Sequence, residues 1–88
     1  MKNICVVTGG GSGMGLETAK ILGKSQKIIL VGRTVLKLEN AIAELIELGI
    51  EAEGFACDVS DRDSVKNLVD FATKQGTVKT VIHSAGVS

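Results

Sequence analysis

Apolar positions along this chain fall into short continuous runs that alternate with stretches of helical spacing. Residues 2–8, KNICVVT, form the first run, rich in β-branched side chains and followed by a glycine cluster. In GLETAKILGKS, Leu16, Ala19 and Leu22 recur along one helical face. KIILVG at 27–32 is again continuous and too short for a helix. TVLKLENAIAELIELG carries Val35, Leu38, Ile42 and Leu45 at helical spacing, with Gly49 placed as a C-terminal cap. EAEGFACDV at 51–59 reads as a third strand. Ser60 and Asp63 then have the spacing of a capping box, S-x-x-D, ahead of Val65, Leu68, Val69 and Ala72, with Gly76 as the stop. VKTVIHSA at 78–85 is the fourth strand.

The predicted order is therefore β-α-β-α-β-α-β. Nearly continuous apolar strands between amphipathic helices imply an α/β fold, a parallel sheet with helices on its faces. Right-handed crossovers leave few topologies. At 88 residues the chain makes a single domain spanning 1–88, with no proline and no candidate linker. Apolar residues make up 44% of it, a high share for so small a unit, and this implies apolar surface that expects a partner.

Charge changes the picture only by exclusion. Ten basic and ten acidic residues cancel without any like-charged run, so nothing points to nucleic acid or to an anionic membrane. The start, MKNICVV, is too short for a signal peptide, and no apolar segment reaches membrane-spanning length. A cytoplasmic location is the expectation. Cys5 and Cys57 both lie in strand-like runs outside any CxxC pair, so buried free thiols are expected, with no disulfide and no metal site.

The glycine cluster carries the chemistry. VVTGGGSGMG, residues 6–15, runs from a strand through five glycines into a helix. The amide hydrogens that open a helix have no intrahelical partners and sit at the positive end of its dipole, which favours a phosphate. Glycines let the backbone turn tightly and approach that phosphate closely. Residues 9–15 thus read as a pyrophosphate cradle.

The spacing is T-G-x-x-x-G-x-G, on Thr8, Gly9, Gly13 and Gly15. Here the sequence resembles the short-chain dehydrogenase/reductase family, and the resemblance runs along the whole chain. Gly32-Arg33 follows the second strand and Cys57-Asp58-Val59 the third. His83-Ser84-Ala85-Gly86 ends the fourth, where the family usually shows N-N-A-G. The resemblance implies the first half of a Rossmann-like sheet, four parallel strands in the order 3-2-1-4 with three crossover helices. It implies that Gly9, Gly13 and Gly15, with Thr8 and Met14 in the same segment, line the pyrophosphate, and that Ser12 donates to it. Asp58 and Val59 would meet the adenine, and Ala85 and Gly86 the adenosine ribose.

Sites that take NAD usually place an acid at the end of the second strand, on the ribose 2′-hydroxyl. Here Gly32 stands there and Arg33 follows, a guanidinium able to hold a 2′-phosphate with two charge-assisted hydrogen bonds. NADP is the expected cofactor, ahead of NAD. The family's reaction is hydride transfer between carbonyl and alcohol, with a tyrosine as proton donor; this sequence contains no tyrosine. No catalytic residue is assigned, and a truncated cofactor-binding portion, inactive alone, is expected. The alternatives are a non-catalytic nucleotide-binding or oligomerising module, and one part of a split enzyme. Strand four would form an exposed edge, so a homodimer or other homo-oligomer through that edge is expected.

Overall fold

The computed structural model describes residues 2–9, 13–58 and 60–83. In chain order they form β1 (Asn3–Thr8), α1 (Gly13–Leu22), β2 (Lys27–Gly32), α2 (Val35–Glu47), β3 (Ala52–Ala56), α3 (Arg62–Thr73) and β4 (Thr77–His83). The strands build one parallel sheet in the order β3-β2-β1-β4, as expected.

The two central strands show why the apolar runs are continuous. Side chains alternate between the faces of a strand, and both faces here are covered. Cys5, Val7, Ile28 and Leu30 point to the side where Ala19 of α1 and Leu38, Ala41 and Leu45 of α2 pack. Ile4, Val6, Ile29 and Val31 point to the other side, where Leu68 and Ala72 of α3 pack. Two helices thus cover one face and a single helix the other. Both cysteines are buried free thiols, one in each layer, and burial raises the pKa of each.

Leu45 has no exposed surface. Leu45→Ala is expected to cost about 2–5 kcal/mol, the usual range for a buried leucine. That is comparable to the total stability of so small a domain, so the urea midpoint should collapse. A midpoint within a few per cent of the parent's would contradict this packing.

The α2 terminus forms as its sequence predicts. Gly49 adopts φ +80, its N–H donates to Ile46 O at 2.9 Å, and Ile50 N–H donates to Leu45 O at 3.0 Å. These two bonds make a Schellman cap.

Some boundaries and facings differ from the sequence reading. β3 ends at Ala56, although Cys57 N–H still donates to Gly32 O at 2.9 Å. β4 begins one residue earlier than expected, at Thr77. At α3 the cap is Asp61, whose carboxylate accepts from Asp63 N–H at 3.0 Å. Ser60 is not the cap because Asp58 claims it: Asp58 Oδ1 accepts from Ser60 N–H at 3.0 Å and from Ser60 Oγ at 2.7 Å. The helix phase that follows buries Leu68 and Ala72 and leaves Val69 52% exposed. Phe71 takes the expected place of Val69, packing on Phe55 with ring centroids 5.0 Å apart. Val35, expected on the core face of α2, is exposed at its first turn.

Candidate functional site at the carboxyl ends of the strands

The amino and carboxyl ends of the sheet differ in their chemistry. At the amino ends, polar groups are tied into a structural network. Lys27 Nζ, on a side chain only 9% exposed, donates to Glu53 Oε1 at 3.0 Å and to Gln75 Oε1, while Gln75 Nε2 donates to Glu53 Oε2 at 3.2 Å. At the carboxyl ends, the four strands deliver Thr8, Arg33, Asp58 and His83 side by side.

β1 lies between β2 and β4, so the strand order reverses there: α1 carries the chain outward to β2, and α3 brings it back from β3 to the far side of β1. A crevice opens outside the carboxyl ends at such a switch point. The chain leaves β1 through Gly9, which adopts φ +73, a backbone region that favours glycine. Gly9 N–H donates to Val31 O at 2.8 Å, which turns the chain across the end of β2. α1 starts at Gly13, so helix amides open at the switch point only four residues beyond Gly9. Gly15 is buried in the first turn of that helix.

The end of β2 shows why glycine stands at position 32. A Cβ there would come within 3.3 Å of Leu38 Cδ2, so the missing side chain lets α2 close on the strand. Arg33 follows, exposed, in a bend before α2. Its guanidinium closes no ion pair among the described residues.

Asp58 lies past the end of β3. The Ser60 hydroxyl, then the Ser60 N–H, and then the charge of Arg33 hold its carboxyl below the usual carboxylate range. Arg33 and Asp58 are thus near enough for one charge to act on the other. Both Ser60 bonds end on Oδ1, so Oδ2 keeps its capacity to accept from a ligand N–H. Because the folded pKa is depressed, this stabilisation is present above the ordinary carboxylate value and is lost as pH falls through the folded value. Ser60→Ala is expected to move the Asp58 titration up toward its ordinary value. Carboxyl carbon shifts followed by NMR would register it, and an unmoved titration would contradict the assignment.

Of the residues singled out from the sequence, Thr8, Gly9, Gly13, Met14, Gly15, Arg33 and Asp58 fall at this end of the sheet. Ser12, Val59, Ala85 and Gly86 lie outside the described residues. One contact was not anticipated. Thr8 and His83 are register partners on β1 and β4, and Thr8 Oγ1 lies 2.5 Å from His83 Nδ1. The sequence signal was the strand order, which makes the two strand ends neighbours.

The model of the short chain dehydrogenase family matches residues 3–88. The chain belongs to the short-chain dehydrogenase family. Human short-chain dehydrogenase/reductase 3 is 32% identical over 85 residues, covering 93% of this chain and 28% of that protein. Among solved structures, a variant of actinorhodin polyketide ketoreductase with NADPH is 34% identical with TM-score 0.91, over 97% of this chain and 33% of that one. NAD⁺-bound xylitol dehydrogenase is 32% identical with TM-score 0.83, over 90% of this chain and 31% of that one. The chain therefore spans about a third of the length of these short-chain dehydrogenases. No helix among the described residues is long and apolar enough to cross a membrane.

Proposed function

We propose that this chain is the dinucleotide-binding portion of a short-chain dehydrogenase-type oxidoreductase and that it takes NADP(H) ahead of NAD(H). The observation that carries this reading is the left-handed Gly9 after β1, which sends the chain into α1 at the switch point of the sheet. The segment from Thr8 through Gly9, Ser12, Gly13 and Met14 to Gly15 would surround the pyrophosphate, with the amides that open α1 donating to it. Arg33 would hold the 2′-phosphate, where a carboxylate would repel it. Asp58 is held ionised and accepts only, which suits the exocyclic amine of adenine beside Val59. Ala85 and Gly86 would pass along the adenosine ribose.

The cofactor supplies a hydride at its nicotinamide ring. Reduction of a carbonyl also needs a proton on the oxygen, and the family's donor is a tyrosine, which this sequence does not contain. The role assigned to these residues is therefore binding and orientation, and the chain alone is proposed to be inactive. Titration of NADPH fluorescence tests the binding. A saturable change supports it, and a flat response across the micromolar range defeats it.

Self-association belongs to the same proposal. β4 is an edge strand, and Val81 on it is 63% exposed. A second copy pairing along β4 would satisfy the edge and cover that side chain. Sedimentation at micromolar concentration is expected to show a dimer that Val81→Lys dissociates; a parent that sediments as a monomer would refute the pairing.

A further inference from the structure

We propose that His83 is a positioning residue for the glycine turn, acting through the hydroxyl of Thr8; the ligand it serves rests on the dinucleotide reading above. Thr8 is the last residue of β1 and Gly9 the first of the turn. On one flank, Gly9 N–H donates to Val31 O of β2 at 2.8 Å. On the other, the Thr8 side chain meets β4, with Oγ1 2.5 Å from His83 Nδ1 and 3.5 Å from Ile82 O. The point where the chain leaves the sheet is thus clamped to both neighbouring strands.

A hydroxyl has a single hydrogen to give. The carbonyl of Ile82 lies at the far limit of hydrogen-bond distance, whereas Nδ1 lies close. With the hydroxyl hydrogen given to Nδ1, the imidazole carries its own on Nε2. Thr8 is buried and His83 is exposed at the strand end, so the bond is shielded on the threonine side and fixes a ring that would otherwise rotate. Cutting it frees the carboxyl end of β1 on the β4 flank. The amides that follow then lose the fixed spacing a diphosphate requires.

The clamp and a direct ligand contact by His83 predict different variants. Asparagine places an acceptor near the position of Nδ1, and glutamine places a polar group nearer that of Nε2. With NADPH titrated by fluorescence, His83→Ala and Thr8→Val should each weaken binding about five- to tenfold, the size of one hydrogen bond. The double variant should be no worse than either single one, because both remove the same bond. His83→Asn should restore most of the affinity and His83→Gln should not. Independently of any ligand, the Thr8 hydroxyl hydrogen should give an exchange-protected NMR resonance with a cross-peak to the single imidazole, lost in His83→Ala. Additive losses, rescue by glutamine in place of asparagine, or an affinity unchanged in His83→Ala would overturn the proposal. Should the parent protein fail to bind NADPH, the dinucleotide reading falls with the positioning role. The hydroxyl resonance would then still report whether the clamp itself exists.

Discussion

Arg33→Asp is expected to lower NADPH affinity about a hundredfold while leaving NADH affinity equal or higher. The physical basis lies in three observations at the end of β2. Gly32 carries no side chain, so the acid that usually marks NAD sites is absent there, and Leu38 packs close over the position. Arg33 is exposed and unengaged by any ion pair among the described residues. Asp58, past the end of the neighbouring β3, feels its charge. Hydrogen bonds to charged groups contribute about 1.5–3 kcal/mol each when shielded, and less in solvent. Losing a bidentate contact and adding a repelling carboxylate gives roughly 3 kcal/mol, or about a hundredfold. The introduced carboxylate would accept from the 2′-hydroxyl of NADH, which accounts for the opposite direction. Raising the salt should shrink the parent's preference, because an exposed phosphate contact is screened. Competitive titration of the two cofactors reads all of this, and an unaltered NADPH to NADH ratio would refute the role of Arg33.

Gly76→Ala is expected to be among the most destabilising single-methyl changes in the chain. Gly76 precedes β4, and a Cβ there would lie 2.3 Å from Lys2 O, 3.1 Å from Lys2 C and 3.2 Å from Ile4 Cγ1. The nearest atom is backbone, and Thr77 N–H donates to that same oxygen at 2.8 Å, so relief requires β4 to move off β1. Overpacking that cannot relax costs about 3 kcal/mol or more. Gly49→Ala supplies the contrast. It meets nothing within 4 Å and bears only the strain of φ +80, worth about 1 kcal/mol. Urea midpoints should rank Gly76→Ala well below Gly49→Ala, and the reverse order would contradict the close approach of β4 to β1.

Much of the fold was legible because parallel strands buried on both faces leave continuous apolar runs. Val6, Val7, Ile28, Ile29, Leu30 and Val31 could belong to little else. The glycine turn was legible for a different reason, since no simple connection needs five glycines in ten positions. The start of α3 was harder. S-x-x-D at Ser60 and D-x-D at Asp61 both fit a cap, and the outcome depended on Asp58 taking Ser60 first. The helix that follows brings Phe71 onto Phe55 and leaves Val69 exposed. The Thr8–His83 contact depended on register. The pairing of β1 with β4 shifts between Ile4 and Cys5, and without that shift Thr8 would stand opposite Ile82 in place of His83. Sequence spacing does not record such an irregularity.

The central claim is that the amide hydrogens opening α1, at the switch point of the sheet, receive a diphosphate. The most direct test follows the backbone amide resonances of the labelled protein as NADPH is added. The account predicts saturable shifts at Gly9, Gly13, Gly15 and Arg33, with NADH moving Arg33 least. Shifts confined to the opposite ends of the helices, around Ile21 and Leu48, or no shifts at saturating cofactor, would contradict it.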